Sequence, residues 1–247
     1  MSGHSKWATI HRSKEVKDAK RGNLFSKMGK AISVAVKAGG GPDPSANFKL
    51  RVAMEKARAA DMPKENIERA IAKAAEAGAL EEVTYEGFGP GGIGVIVEAA
   101  TDNKNRTAQE IKNAFEREGG SLAGPGAVSF NFEQKGFLLV KKTDKPDEQM
   151  LTLIEAGVED VQESADGIEV FTAPNKLGEV RRDLETKGFE ITSMELYLDP
   201  KTPVTISAPD AARRAMDFLT NLEEKEDVQK VYSNLDVPEG ILSQIES

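Results

Sequence analysis

The 247-residue sequence contains no cysteine, two histidines and a single tryptophan. Without cysteine the chain forms no disulfide, no thiolate zinc site and no iron–sulfur cluster, and it offers no cysteine nucleophile. The histidines, His4 and His11, lie in a cationic N-terminal stretch that holds few carboxylates to complete a coordination shell. No metal site is therefore expected, and no Ser–His–acid triad, which needs rigidly held partners. No apolar run reaches 18 residues and the mean hydropathy is −0.44, so no membrane-spanning helix is expected. The first residues also lack the apolar core of a secretory signal, which leads to the expectation of a soluble, cytoplasmic protein without a membrane partner.

Two glycine-rich stretches invite a phosphate-binding reading and fail it. Gly87, Gly89 and Gly92 match G-x-G-x-x-G, but a dinucleotide site needs a helix to follow, and Ile93-Gly94-Val95-Ile96-Val97 reads as a strand. The loop is expected to be a hairpin that uses positive φ. Gly39-Gly40-Gly41-Pro42 runs on to Asp43-Pro44-Ser45 with no Gly-Lys-Ser/Thr, so it is a helix stop. No positioned acid–base pair is evident among the scattered carboxylates past Leu80, which read as a solvated surface. No cofactor, small-molecule substrate or catalytic residue is expected.

What the chain does have is a separation of charge. The net charge of −8 conceals 16 basic and 8 acidic residues in the first 80, against 17 and 33 in the remainder. The first thirty residues alone carry Lys6, Arg12, Lys14, Lys17, Lys20, Arg21, Lys27 and Lys30 against Glu15 and Asp18. A polyanion is the partner that such an end attracts. Trp7 lies among these cations, where it either stacks on an unpaired base or pins the arm against the following helix.

Hydrophobic periodicity divides the chain. Leu24, Met28, Ile32 and Val36 step by four; Asn47 caps a second helix with Leu50, Ala53, Ala57 and Ala60 inward; Pro63 opens a third with Ile67, Ala70, Ile71 and Ala74. After Leu80 the period falls towards two between glycine-rich turns. Strands are predicted near 83–87, 93–101 and 127–132, with a helix over 105–118 opened by Thr107 and Glu110 in capping-box spacing. From Gly136 the order strand–helix–strand–strand–helix–strand is that of a split βαβ. A tail with a strand at 204–206, a helix over 209–222 and a strand at 228–232 completes the earlier sheet. The expected fold is therefore α+β in three domains: a helical bundle over 1–80, a discontinuous α/β domain over 81–133 and 202–247, and an inserted α/β domain over 134–201, the last two both ferredoxin-like sandwiches.

Gly3-His4-Ser5-Lys6-Trp7 and Asp18-Ala19-Lys20-Arg21-Gly22 resemble the opening of the YebC family of transcriptional regulators, which are related to a mitochondrial translational activator. Tyr85-Glu86-Gly87-Phe88-Gly89-Pro90-Gly91-Gly92, Thr101-Asp102-Asn103-Lys104-Asn105-Arg106-Thr107 and Asp227-Val228-Gln229-Lys230-Val231-Tyr232 follow in family order. The chain departs from the usual pattern at Gly29-Lys30-Ala31 and Ile111-Lys112-Asn113. The resemblance implies a three-domain, non-enzymatic protein of the bacterial cytoplasmic form. It further implies binding of promoter DNA as a regulator or, alternatively, of ribosomal or transfer RNA as a ribosome-associated factor relieving stalling at proline-rich stretches. The nucleic-acid-binding candidates are Lys6, Trp7, His11, Arg12, Lys14, Lys17, Lys20, Arg21, Lys27, Lys49, Arg51 and Arg106. Arg106, Lys112, Asn113 and Arg117 on one helix form either a second, weaker basic patch or an ordinary solvent face. Lys64, Arg69 and Lys73 follow a turn that could mimic a helix-turn-helix.

Overall fold

The computed structural model describes residues 21–76, 80–164 and 166–245, and within these it is a mixed α/β protein of eight helices and ten strands. The described residues fall into two compact units, one within Phe130–Pro203 and the other within Asp18–Ser129 together with Val204–Ser247.

The larger unit begins with α1 (Arg21–Ala38), α2 (Phe48–Ala59) and α3 (Lys64–Glu76). The step-of-four stripe of α1 delivers Ile32 and Val36 to a core completed by Leu50, Ala57, Met62, Ile67 and Ala74. The alanines of that core bury little apolar area each, so local devices that fix the helix ends matter. Asn47 is one of them. Its side-chain oxygen accepts from Leu50 N at 2.9 Å, capping α2, while its Nδ2 donates to the carbonyls of Ala35 and Gly41, both at 2.8 Å. One buried amide thus joins the end of α1 to the start of α2.

The same unit continues with β1 (Glu81–Phe88), β2 (Gly94–Thr101), α4 (Lys104–Arg117) and β3 (Ser121–Ala123), and resumes with β8 (Val204–Thr205), α7 (Pro209–Glu223), β9 (Val228–Ser233), β10 (Leu235–Asp236) and α8 (Glu239–Ile245). Its sheet is antiparallel in the order β3-β1-β2-β9, and Phe115 of α4 meets Phe218 of α7 edge to face at 5.1 Å. The glycine loop is indeed a hairpin connection, but its glycines divide the labour. Gly91 and Gly92 have φ of 77° and 76°, whereas a Cβ on Gly89 would lie 2.6 Å from the Phe218 ring. Positive φ explains the first pair, and close approach of α7 explains Gly89.

Three expectations need correction here. Residues 127–131 are not part of a strand, and of the strand expected over 127–132 only Phe132 lies in one. The Glu86 carboxylate accepts from the backbone N–H groups of Gly126, Val128 and Ser129 at 2.8, 2.8 and 2.9 Å, so this segment satisfies its donors on a side chain and needs no ladder. Burial alone would raise the Glu86 pKa, but those three donors hold it below the usual carboxylate range. Thr107 is not a cap: Asn103 caps α4 by accepting from Arg106 N, and Thr107 is buried. Finally, the two central strands of this sheet, β1 and β2, are consecutive and joined by a hairpin, which is not the order of a split βαβ.

The smaller unit contains β4 (Phe132–Val140), α5 (Pro146–Glu155), β5 (Asp160–Glu163), β6 (Ile168–Thr172), α6 (Leu177–Thr186) and β7 (Ile191–Pro200). Its antiparallel sheet has the order β5-β6-β4-β7. Leu138, Val140, Ile168 and Val170 point to one face and pack with Leu153, Val180 and Leu184 of the two helices. Alternate residues reach the other face, where Phe137, Phe171 and Tyr197 form a buried aromatic cluster with centroids 5.7 to 6.2 Å apart.

Candidate nucleic-acid interface

Several of the described cations are held by internal partners. The internal set converges on Asp227, a buried carboxylate just before β9. Its Oδ1 accepts from Lys30 Nζ of α1 at 2.6 Å, and its Oδ2 accepts from Arg106 Nη2 at 2.8 Å, Thr107 Oγ1 at 2.6 Å and Thr101 Oγ1 at 3.2 Å. Burial pushes the Asp227 pKa up, but the donors from Arg106, Lys30 and Thr107 outweigh it and hold the carboxyl well below its ordinary value. The group stays ionised, as a buried anion with this many donors should.

This junction explains two of the candidates differently from the sequence reading. Arg106 also reaches Asp102 at 2.9 Å, and Lys27 donates to the carbonyl of Glu223 at the end of α7. Lys30 completes its shell with Glu226 at 3.1 Å. Lys27, Lys30 and Arg106 therefore fasten the helical bundle and α4 to the α7–β9 corner. The expected patch on α4 is diluted in the same way, since Lys112 lies 3.7 Å from Glu116 and Asn113 accepts from Gln109.

Helix α2 displays four cations on its surface. Lys49 and Arg51 are exposed, as are Lys56 and Arg58, which the sequence reading did not single out. Helical geometry turns each residue by 100°, so Lys49 and Lys56 share one flank of the helix and Arg51 and Arg58 share the other, with Leu50 and Ala57 buried between the flanks. Glu55 is the sole acid in the helix. The i, i+7 spacing was the available signal, and it was obscured because the two pairs interleave. Beside Arg51 and Arg58 lies an open cleft of about 320 Å³, lined by Pro44, Ser45, Arg51, Met54, Glu55 and Arg58.

In the turn between α2 and α3, Asp61 adopts φ of 58°. On α3, Arg69 and Lys73 are exposed, but so are Glu65 and Glu68, and Lys64 lies 3.5 Å from Glu68. Among the remaining candidates, Arg21 is the first residue of α1; Lys6, Trp7, His11, Arg12, Lys14, Lys17 and Lys20 lie outside the described residues. Among the described residues, no cluster of His, Asp and Glu could hold a metal ion and no helix is long and apolar enough to cross a membrane.

Comparison with known proteins places this architecture. Residues 5–77 match the model of the TACO1/YebC protein N-terminal domain, and residues 80–235 match that of the TACO1/YebC second and third domain. A "Probable transcriptional regulatory protein" of Dictyoglomus thermophilum is 48% identical, covering 99% of this chain and 100% of its own length. One of the same name from Moorella thermoacetica is 47% identical with both chains fully covered. A crystal structure of a conserved hypothetical protein from Aquifex aeolicus superposes with a TM-score of 0.82 at 43% identity, covering 90% of this chain and 93% of that one. With both family models matched in chain order, this protein belongs to the TACO1/YebC family.

Proposed function

We propose that this protein is a non-enzymatic, cytoplasmic regulator of gene expression that binds nucleic acid through its basic N-terminal third. The observation that carries the reading is the paired display of Lys49 with Lys56 and Arg51 with Arg58 on α2, in a chain whose remaining charge repels phosphate. The names of the relatives support the regulatory role. The strand order β5-β6-β4-β7 supports a ferredoxin-like reading of the inserted unit, within a three-domain chain.

Transcriptional regulation is the first form of this reading. The second, an RNA-binding, ribosome-associated factor that relieves stalling at proline-rich sequences, is favoured by α3. A helix that reads a major groove places donors and acceptors matched to base edges there, whereas the exposed surface of α3 interleaves Glu65 and Glu68 with its cations.

Trp7, the only tryptophan, separates the two forms. Under the RNA form, its fluorescence should be quenched by single-stranded RNA, and Trp7→Ala should weaken that binding by about 1–3 kcal/mol while barely affecting duplex DNA, whose bases stay stacked. Quenching by duplex DNA and not by RNA would select the promoter-binding form. No binding of either would overturn the nucleic-acid reading altogether.

A further inference from the structure

In the smaller unit, the sheet face opposite the helices carries more than its aromatic cluster. Register sets Glu133 beside Asp199, Glu195 beside Phe137, Asp160 beside Phe171 and Glu169 beside Gln162, all on that face. Among the described strand residues there, Lys135 is the only cation, and its Nζ lies 3.2 Å from Glu133, 3.5 Å from Asp199 and 3.9 Å from Glu159. The face is nevertheless covered. Phe137, Phe171 and Tyr197 are 1%, 0% and 4% exposed, and Glu169 and Asp199 are 3% and 5% exposed. Helices α5 and α6 do not provide the cover, because they pack on the opposite side through Leu153, Val180 and Leu184. Whatever lies there must offer apolar groups to three rings and donors to carboxylates that Lys135 alone does not balance, since buried acids are tolerated only when paired and hydrogen-bonded.

We infer that this face is the docking site of the chain's own residues 1–20, from which a nucleic acid must draw them away. The composition of the segment meets both demands. Lys6, Arg12, Lys14, Lys17 and Lys20 outnumber Glu15 and Asp18, and Trp7, Ile10 and Val16 lie among them. The other stretches outside the described residues, 77–79, 165 and 246–247, are short and carry no cation. Twenty extended residues reach about 65 Å, enough to cross four strands spaced about 4.8 Å apart. Docked there, the segment sets its cations against carboxylates that stand where phosphates would, so the face and a nucleic acid compete for the same charges. The apparent affinity for nucleic acid is then reduced by the fraction of molecules whose segment is docked. The competition rests on the nucleic-acid reading above; the docking does not.

The experiment compares the full chain with the double variant Glu169→Gln/Asp199→Asn, which keeps the side-chain shapes and removes the two buried carboxylates. Limited trypsin digestion without nucleic acid should cut after Arg12, Lys14 and Lys17 about 5- to 10-fold faster in the variant, because cleavage tracks the undocked fraction. Its affinity for an end-labelled oligouridine, read by anisotropy, should rise by the same factor of about 5 to 10, since both quantities report one equilibrium. Circular dichroism and urea unfolding verify the fold. If the double variant does not fold, Glu195→Gln, at a half-buried position, provides the same comparison with a smaller factor. In a chain lacking residues 1–20, hydroxyl-radical labelling of Phe137, Phe171 and Tyr197 should increase severalfold. Labelling unchanged by the deletion, or cleavage unchanged in the variant, would overturn the docking. Faster cleavage with unaltered oligouridine affinity would overturn the competition. Failure of the full chain to bind any oligonucleotide would overturn the nucleic-acid reading and the competition with it, while cleavage and labelling would still decide the docking.

Discussion

Removing residues 1–22 should make the salt dependence of nucleic-acid binding shallower by about 3 to 4 log–log units. The segment contains Lys6, Arg12, Lys14, Lys17, Lys20 and Arg21, and each phosphate neutralised contributes about 0.7 to 0.9 to the slope through counterion release. Four or five contacts give the expected change. Its size matters because the structure removes other contributors: Lys27, Lys30 and Arg106 are committed to Glu223, Glu226, Asp102 and Asp227. Residual binding should come from Lys49, Arg51, Lys56 and Arg58 on α2. Filter-binding or anisotropy titrations between 50 and 200 mM salt would measure both slopes. An equal slope with and without the segment would remove it as the principal phosphate contact.

Asp227→Ala should destabilise the larger unit by about 3 kcal/mol. Removing one member of a buried ionic cluster typically costs about 3 to 5 kcal/mol, because its partners are left without a counter-charge. The lower end applies here, since Lys30 keeps Glu226. The hydroxyls of Thr101 and Thr107 lose an acceptor in the interior, which adds to the loss. Asp102→Ala is the matched control: its side chain is 71% exposed and its bond to Arg106 is a surface pair, so about 0.5 kcal/mol or less is expected. Urea unfolding of the two variants gives the comparison, and hydrogen exchange should show α1 opening first in Asp227→Ala. Equal stability of the two would mean that Asp227 does not fasten α1.

The contrast between these carboxylates shows what could be read from the sequence. The stripe Leu24, Met28, Ile32, Val36, the Asn47 cap and the helix–strand alternation beyond Gly136 are local patterns whose period states their structure, and they reappear as elements with ends shifted by a few residues. Asp227 sits in Glu226-Asp227-Val228, indistinguishable by pattern from a solvated acidic turn. Its partners Lys30 and Arg106 are 197 and 121 residues away, so no period connects them. The strand expected over 127–132 is missing up to Asn131 for the same reason, because Glu86, some 40 residues earlier, supplies the acceptors. Helix α8 follows Pro238, a residue type favoured at helix starts. For the site, net charge located the region. Only the fold shows which cations hold a buried carboxylate, as Lys30 and Arg106 do at Asp227.

The most direct measurement is ultraviolet crosslinking of the full chain to its nucleic acid in cells, followed by mass spectrometry of the crosslinked peptides and sequencing of the bound strand. The central claim is that the basic N-terminal third is the nucleic-acid surface. It predicts crosslinks concentrated in peptides from residues 1–60, at Trp7 and along α2, with sparse signal beyond residue 80. Crosslinks concentrated in peptides beyond residue 80, with residues 1–60 unmarked, would contradict it.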